Sequence, residues 1–255
     1  MALLAAGAGA QEAVAPLERG HSHNDYFRAR PLLDALDNGL CSVEADIYLV
    51  DGALLVAHDR DKVDPEKTLE ALYLAPLRAR VQAHGGRVYR DGPSVTLLID
   101  FKSEGEATWA VLKPLLAQYR EMLTVFTDSA TVPGAVTVIV SGDRPTDTIL
   151  PDAERLAGID GRIADLDGAY TAHQMPLISE SWGSVFAWKG KDAFPEAERK
   201  KLEALVARVH ARGQRLRFWA LPGRPAVWPA VHAAGVDLIN ADNVSKLREF
   251  LLEQR

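Results

Sequence analysis

Short apolar stretches alternate with longer amphipathic stretches along the chain from residue 17 onward. The apolar stretches are rich in β-branched residues, and this alternation is typical of a parallel sheet whose strands are connected by helices. We predict strands at residues 17–21, 42–49, 95–101, 136–141, around 161–165, at 177–181 or 185–188, at 215–220 and at 236–240. Eight strands with crossover helices predict an α/β fold, a single-domain (β/α)8 TIM barrel.

Amphipathic stretches predict six helices, at residues 31–38, 69–83, 107–120, 195–212, 226–234 and 244–253. In the fourth of these, Leu202, Leu205, Val206 and Val209 recur at helical spacing and form an apolar stripe opposite a charged face. Between residues 120 and 181 the pattern allows more than one order of elements. Residues 122–127 and 136–141 are compatible with a hairpin around 132–135, which would be an insertion in a simple barrel.

Length and composition limit the class of protein. The chain has 255 residues, 47% of them hydrophobic, and we predict that residues 12–255 form the barrel. A formal net charge of -6 and the lack of a run of Lys and Arg argue against a nucleic-acid partner. Cys41 is the only cysteine, which excludes an intrachain disulfide and a cysteine-based zinc site. No stretch of about 18 apolar residues predicts a transmembrane segment, and the pattern leaves the oligomeric state open.

The first 11 residues are apolar and rich in alanine. Ala8-Gly9-Ala10 matches the small-residue pattern of a signal-peptide cleavage site, although no positively charged region precedes it. We expect residues 1–11 to be a signal-peptide remnant, which implies a periplasmic or secreted protein, or else a disordered N-terminus of a cytoplasmic one.

Ionisable side chains stand near the C-terminal ends of the predicted strands, which is where TIM barrels carry their active sites. Glu44 and Asp46 lie on the same face of the second strand, because side chains alternate along a strand. Two oxygen donors so placed are able to bind one hard divalent cation. Asp100 and Lys102 end the third strand, and His21 ends the first.

These features resemble the superfamily of glycerophosphodiester phosphodiesterases and phosphatidylinositol-specific phospholipase C-like phosphodiesterases. The matching pieces are the histidine that ends the first strand, Glu-x-Asp at 44–46, the segment Asp-Gly-Ala-Leu-Leu-Val-Ala-His-Asp at 51–59, acidic-x-Lys at 100–102, and residues 218–220 and 235–242. Residues 20–26, Gly-His-Ser-His-Asn-Asp-Tyr, are closer to the branch named for altered inheritance of mitochondria than to classical members, which have His-Arg-Gly and Glu-Asn-Thr here.

The resemblance implies a metal-dependent phosphodiester hydrolase acting on glycerophosphodiesters or phospholipid headgroups. Glu44, Asp46 and Asp100 would bind one divalent cation, Mg²⁺ or Ca²⁺, which would neutralise phosphate oxygens. Lys102 would contact the phosphate or offset the charge of the three carboxylates.

The same resemblance implies roles for the histidines. His21 and His58 would face each other across the phosphorus atom and transfer protons, since the ordinary pKa of imidazole, about 6.5, suits this work. His23 and Asn24 would bind substrate or orient the loop through side-chain hydrogen bonds. Trp219 would form a wall of the substrate pocket or else pack as an aromatic residue of the core.

Two other functions fit these residues. One is a lyase that stops at a cyclic phosphate, resembling the sphingomyelinase D relatives. The other is a barrel that binds phosphorylated ligands without turnover. Two histidines beside an acidic cluster disfavour the pure binder, because binding alone needs no acid–base pair.

Overall fold

Eight parallel strands pair edge to edge in the structure, a computed structural model that describes residues 14–255. They are β1 (Leu17–Ser22), β2 (Leu40–Val50), β4 (Val95–Phe101), β7 (Val136–Gly142), β8 (Gly158–Gly161), β9 (Leu177–Ser181), β10 (Arg215–Trp219) and β11 (Ile239–Ala241). Three short strands lie outside this ring: β3 (Ala53–Val56), β5 (Val125–Phe126) and β6 (Thr131–Val132). A bridge between Arg217 and Leu238 joins β10 to the segment that leads into β11. The predicted TIM barrel is confirmed.

Helices connect most successive barrel strands, whereas a 3-10 turn lies between β8 and β9. They are α1 (Leu33–Asp37), α2 (Ala75–Ala83), α3 (Gly105–Ala117), α4 (Thr146–Ile149), α5 (Trp182–Val185), α6 (Glu196–His210), α7 (Val227–Ala233) and α8 (Val244–Glu253), with a π-helical turn, Glu70–Leu74, before α2. Each of the six predicted helices overlaps one of these. The apolar stripe of α6 is confirmed, since Leu202, Val206 and Val209 are buried.

The barrel strands are buried on both faces, as parallel strands covered by helices must be. On β2, the outward side chains Val43, Ala45 and Ile47 belong to the large core between sheet and helices. Inside the barrel, Leu98, Ile139, Leu177 and Leu238 form a small separate cluster. On the inward face of β2, the three successive positions Ser42, Glu44 and Asp46 are polar, and all of them are buried.

The fifth barrel strand lies earlier than predicted. The prediction around 161–165 is wrong: β8 ends at Gly161, and Ile163–Asp167 is a 3-10 turn. Two of the four residues of β8 are glycines, which have a low strand propensity, so the sequence pattern does not reveal this strand. Close packing against neighbouring side chains nevertheless requires glycine at both positions. A Cβ at Gly158 would lie 2.7 Å from Pro176 Cγ, and one at Gly161 would lie 2.6 Å from Ile178 Cδ1. Of the two alternatives for the next strand, the structure has 177–181.

The predicted hairpin of residues 122–127 with 136–141 is also wrong. Residues 136–142 form β7, which pairs with β4 along its whole length inside the barrel sheet. The hairpin that exists is smaller and joins β5 to β6. The apolar side chains of β7 are buried by packing within the barrel. This burial stabilises β7 more than pairing with the nearby residues 122–127 would.

Residues 1–11, predicted as a signal-peptide remnant or disordered N-terminus, lie outside the described residues. Within residues 14–255, no helix combines the length and the apolar character needed to cross a membrane.

Candidate active site

Three carboxylates from two adjacent strands meet at the C-terminal end of the barrel. Glu44 and Asp46 share the inner face of β2, and the parallel register of β2 with β4 places Asp46 directly beside Asp100. One oxygen of each carboxylate lies within 4.8 Å of the others. Glu44 and Asp46 are only 5% and 2% exposed, so their charges need partners. The structure therefore brings the three predicted metal ligands together.

Two cationic side chains contact this acidic cluster. Arg217 of β10 donates a hydrogen bond to Glu44 Oε1 at 2.9 Å. The Lys102 ammonium lies 3.1 Å from Asp46 Oδ2 and 3.4 Å from Asp100 Oδ1. Each carboxylate thus has a cation in contact, which offsets part of the cost of burying it.

The pKa values of the three carboxylates move in different directions. Burial raises the pKa of Asp100 to about 6, and the neighbouring acids add to this while Lys102 opposes it. Burial and Glu44 likewise raise the pKa of Asp46. For Glu44, burial acts in the same sense, but Arg217 and its other partners outweigh it and hold the pKa below its ordinary value. Glu44 therefore stays charged at a pH where Asp100 titrates.

A tight hairpin brings His58 to the cluster. β3 pairs antiparallel with the end of β2, and the connecting residues Asp51 and Gly52 both have positive φ, 49° and 81°, as a two-residue type I′ turn requires. The N–H of Ala57 donates to the Asp46 carbonyl at 3.1 Å, so the next residue, His58, lies beside Asp46. His58 Nδ1 is 3.2 Å from Asp46 Oδ2.

Tyr26 completes the surroundings of His58. Its hydroxyl donates to Asp46 Oδ2 at 2.7 Å and lies 3.0 Å from His58 Nδ1. Burial and the nearby carboxylates raise the pKa of Tyr26, so the phenol stays protonated. The Tyr26 hydroxyl oxygen and Asp46 Oδ2 both lie near Nδ1 of the His58 ring, which favours the tautomer that carries its proton on Nδ1. The other ring nitrogen, Nε2, is then left to interact with a substrate.

The loop after β1 places His23 and Asn24. Asn24 has a φ of 47°, which asparagine tolerates better than most residues, and its backbone N–H donates to Glu44 Oε2 at 3.2 Å. His23 Nε2 is 3.7 Å from the same oxygen. On the other side of the ring, His23 Nδ1 is 2.8 Å from Asp242 Oδ1. His23 is therefore held between the acidic cluster and the end of β11.

A buried carboxylate, Asp25, anchors this loop. It accepts hydrogen bonds from the Ser22 hydroxyl at 2.6 Å, the Leu32 backbone N–H and the Tyr73 hydroxyl at 3.1 Å, and it pairs with Arg28 at 3.2 Å. Three of these partners lie within residues 22–32, and the fourth, Tyr73, comes from the π-helical turn before α2. Together they anchor the loop that carries the two residues before Asp25.

His21 does not reach this cavity. It is fully buried inside the barrel, and its Nδ1 lies 2.7 Å from Ser42 Oγ. Its Nε2 has no hydrogen-bond partner within the described part of the chain. Burial, helped by Arg217, lowers the pKa of His21 well below its ordinary value, so the ring is neutral. Of the two histidines predicted to face each other across the phosphorus atom, only His58 therefore lines this cavity.

The site opens into a cavity of about 460 Å³. Eight of the nine predicted site residues line it: His23, Asn24, Glu44, Asp46, His58, Asp100, Lys102 and Trp219. Sequence reasoning missed two of its cations. Arg162 lies with its guanidinium 4.9 Å from the centre of the Trp219 ring, and Arg217 is the inward neighbour of Trp219 two residues earlier. Arg217 could have been predicted, because it lies two residues before Trp219 on the same strand and so faces the same side. Arg162 could not, because it directly follows β8, whose position was predicted too far along the chain.

Two solved structures with a similar fold are of glycerophosphodiester phosphodiesterases. A crystal structure of one from Parabacteroides distasonis superposes with a TM-score of 0.55 and 13% sequence identity, covering 94% of this chain and 99% of that one. One from Agrobacterium tumefaciens gives a TM-score of 0.54 and 15% identity, covering 92% of this chain and 97% of that one. These two likenesses show the fold, a TIM barrel that this chain shares with both proteins along most of its length.

The sequence itself gives the branch. Residues 10–156 match the AIM6-like phosphodiesterase domain, and the chain belongs to this family. Altered inheritance of mitochondria protein 6 homolog from Arthroderma benhamiae is 30% identical, over 90% of this chain and 82% of that protein. Altered inheritance of mitochondria protein 6 from Eremothecium gossypii is also 30% identical, over 92% of this chain and 69% of that protein. The resemblance predicted from residues 20–26 is confirmed.

Proposed function

We propose that this protein hydrolyses phosphodiesters with the help of one divalent cation bound by Glu44, Asp46 and Asp100. The observation that carries the proposal is the shared cavity, in which a three-carboxylate cluster lies beside two imidazoles, those of His23 and His58. A site for binding alone needs no pair of proton-transfer groups, whereas cleavage of a phosphodiester needs both an acid and a base.

The donor set fits a hard cation. Carboxylate oxygens are the ligands that Mg²⁺ and Ca²⁺ prefer, and one oxygen from each of the three acids lies within 4.8 Å of the others. When bound, the cation would neutralise phosphate oxygens and stabilise the charge that develops during cleavage. With all three acids ionised, Lys102 and Arg217 leave the cluster with one net negative charge. One divalent cation would change this net charge to plus one, and a bound phosphodiester, which carries one negative charge, would then neutralise it.

We assign proton transfer to His58, as predicted, and to His23 in place of His21. His58 holds Nδ1 against Asp46 and Tyr26, and His23 holds Nδ1 against Asp242, so each ring is oriented through one nitrogen. The other nitrogen of the His58 ring is then available to accept or donate a proton at the substrate, and His23 Nε2, 3.7 Å from Glu44 Oε2, faces the acidic cluster beside which the phosphate would bind. His21 is buried and does not line this cavity, so we give its ring no direct role at the substrate.

Phosphorus NMR of glycerophosphocholine with added Mg²⁺, Ca²⁺ or EDTA tests the proposal. We expect cleavage with a metal, none with EDTA, and a loss of about 100-fold or more in His23→Gln and His58→Gln. His21→Gln should retain activity within about tenfold, because its ring does not meet the substrate. Cleavage that survives EDTA would remove the cation from the mechanism. A cyclic phosphate as the final product would make the protein a lyase.

A further inference from the structure

A second cavity, of about 520 Å³, adjoins the first at His23, which lines both. Its walls come from the loop after β10, from α7 and from α8. Apolar side chains predominate: Leu221, Pro222 and Pro225 from the loop, Trp228 from α7 and Phe250 from α8. The rings of Trp228 and Phe250 lie 5.8 Å apart between their centres. A volume of this size is typical of sites for small molecules.

The two cavities share a wall as well as a histidine. Trp219 lines the first cavity, and the next residue, Ala220, lines the second. Ala220 has a φ of 51°, a conformation that L-residues rarely adopt, and it turns the chain from β10 into the apolar loop. A group attached to a phosphate in the first cavity therefore has a short route past His23 into the second.

Charge indicates what kind of group fits there. Arg224 and Lys246 line the second cavity, and its one carboxylate, Asp242, is already engaged by His23. The two positively charged side chains outnumber the single carboxylate, which already contacts His23. A cationic headgroup such as choline would therefore be repelled from this cavity. The apolar walls favour an uncharged aliphatic group, because burying apolar surface is the main source of affinity in such a site.

We propose that the second cavity binds an aliphatic chain carried by one ester group of the phosphate, on the side of the phosphorus where His23 lies. The substrate class is then a phosphodiester with one long apolar ester group rather than one with two small polar alcohols. This inference rests on the proposed function, since it places the phosphate in the first cavity.

Binding of methyl phosphate and octyl phosphate, measured by calorimetry with Mg²⁺ present, tests this proposal without turnover. We expect octyl phosphate to bind at least tenfold more tightly to the natural sequence. Gly223 lines the second cavity, and a Cβ there meets no atom within 4 Å, so we expect Gly223→Phe to fold and its ring to narrow the cavity. The tenfold preference should disappear in it, and also in Leu221→Asp, which places a charge among the apolar walls.

Gly183→Phe is the matched control. Gly183 is exposed and lies outside both cavities, and the nearest atom to an added Cβ, Lys189 Nζ, is 3.8 Å away. The chain-length preference should survive in this variant. Equal affinity for the two phosphates, or a preference that persists in both Gly223→Phe and Leu221→Asp, would overturn the inference.

Failure of the proposed function has a different signature. If no diester is cleaved but octyl phosphate still binds preferentially, the second cavity stands and the hydrolase assignment falls. If glycerophosphocholine and dodecanoyl lysophosphatidylcholine are cleaved with equal kcat/KM, the hydrolase stands and the second cavity is not a chain site.

Discussion

Arg217 and Glu44 form an ion pair inside the barrel, with side chains that are only 3% and 6% exposed. The guanidinium also donates to Asn240 Oδ1 at 3.0 Å, so it links β10, β11 and β2 beneath the acidic cluster. Removing one member of a buried pair leaves the other charge uncompensated in a medium of low dielectric. The stability of the barrel and the charge of the site therefore depend on the same contact.

Arg217→Met should lower the free energy of unfolding by about 3–5 kcal/mol, because Glu44 then stays buried without its cation. Urea unfolding followed by circular dichroism measures this change. The double variant Arg217→Met with Glu44→Gln should recover part of the loss, since no charge remains unpaired. A single variant within about 1 kcal/mol of the natural sequence would show that the pair carries no such energy.

The neutral His21 ring makes stability depend on pH. Its pKa when folded lies well below 6.5, its ordinary value in the unfolded chain, so below pH 6.5 the unfolded state binds the extra proton. The contribution is fully present above pH 6.5 and is lost as the pH falls. Between pH 7.5 and 5.5 the natural sequence should lose about 1.4 kcal/mol more than His21→Gln in urea unfolding. Equal losses would mean that His21 is protonated in the folded protein.

The acidic cluster was predictable from sequence because it depends on one rule only. Side chains two apart on a strand share a face, so Glu44 and Asp46 had to emerge together, and Asp100 ends the neighbouring strand. His58 was predictable from its motif, which the hairpin of β2 and β3 brings back to Asp46. These parts of the site are fixed by local geometry.

The choice between two histidines was not predictable in this way. His21 and His23 are two residues apart, so alternation alone would put both side chains on the same face and cannot separate them. What separates them is register: His21 pairs with Ser42, one inward position below Glu44, and so lies under the cluster rather than beside it. The register between two parallel strands depends on how the whole barrel closes, and the sequence of the two strands alone does not fix it.

Divalent cations should stabilise the protein independently of any turnover. A ligand that binds only the folded state adds about 2.7 kcal/mol at 100 times its Kd, which raises the melting temperature. We expect Mg²⁺ or Ca²⁺ to raise Tm in thermal unfolding and EDTA to reverse this. Asp100→Asn should abolish the increase, whereas Asp242→Asn, an exposed position outside the cluster, should keep it. A rise in Tm that persists in Asp100→Asn would place the cation elsewhere.

Tyr26→Phe should reduce activity through His58 and Asp46 rather than through the substrate. The variant removes the hydroxyl that donates to Asp46 Oδ2 and lies 3.0 Å from His58 Nδ1, while the aromatic ring keeps its packing. Losing a partner that orients a metal-binding carboxylate typically costs about 10- to 100-fold in metal affinity or activity. At saturating Mg²⁺ we expect kcat to fall, KM for glycerophosphocholine to stay nearly constant, and the pH profile to shift, because the surroundings of the His58 ring have changed.

Tyr48→Phe is the matched control: its hydroxyl donates to the His58 carbonyl at 3.1 Å and does not touch the ring, so kcat should not change. An unchanged kcat and pH profile in Tyr26→Phe would show that Asp46 alone orients His58.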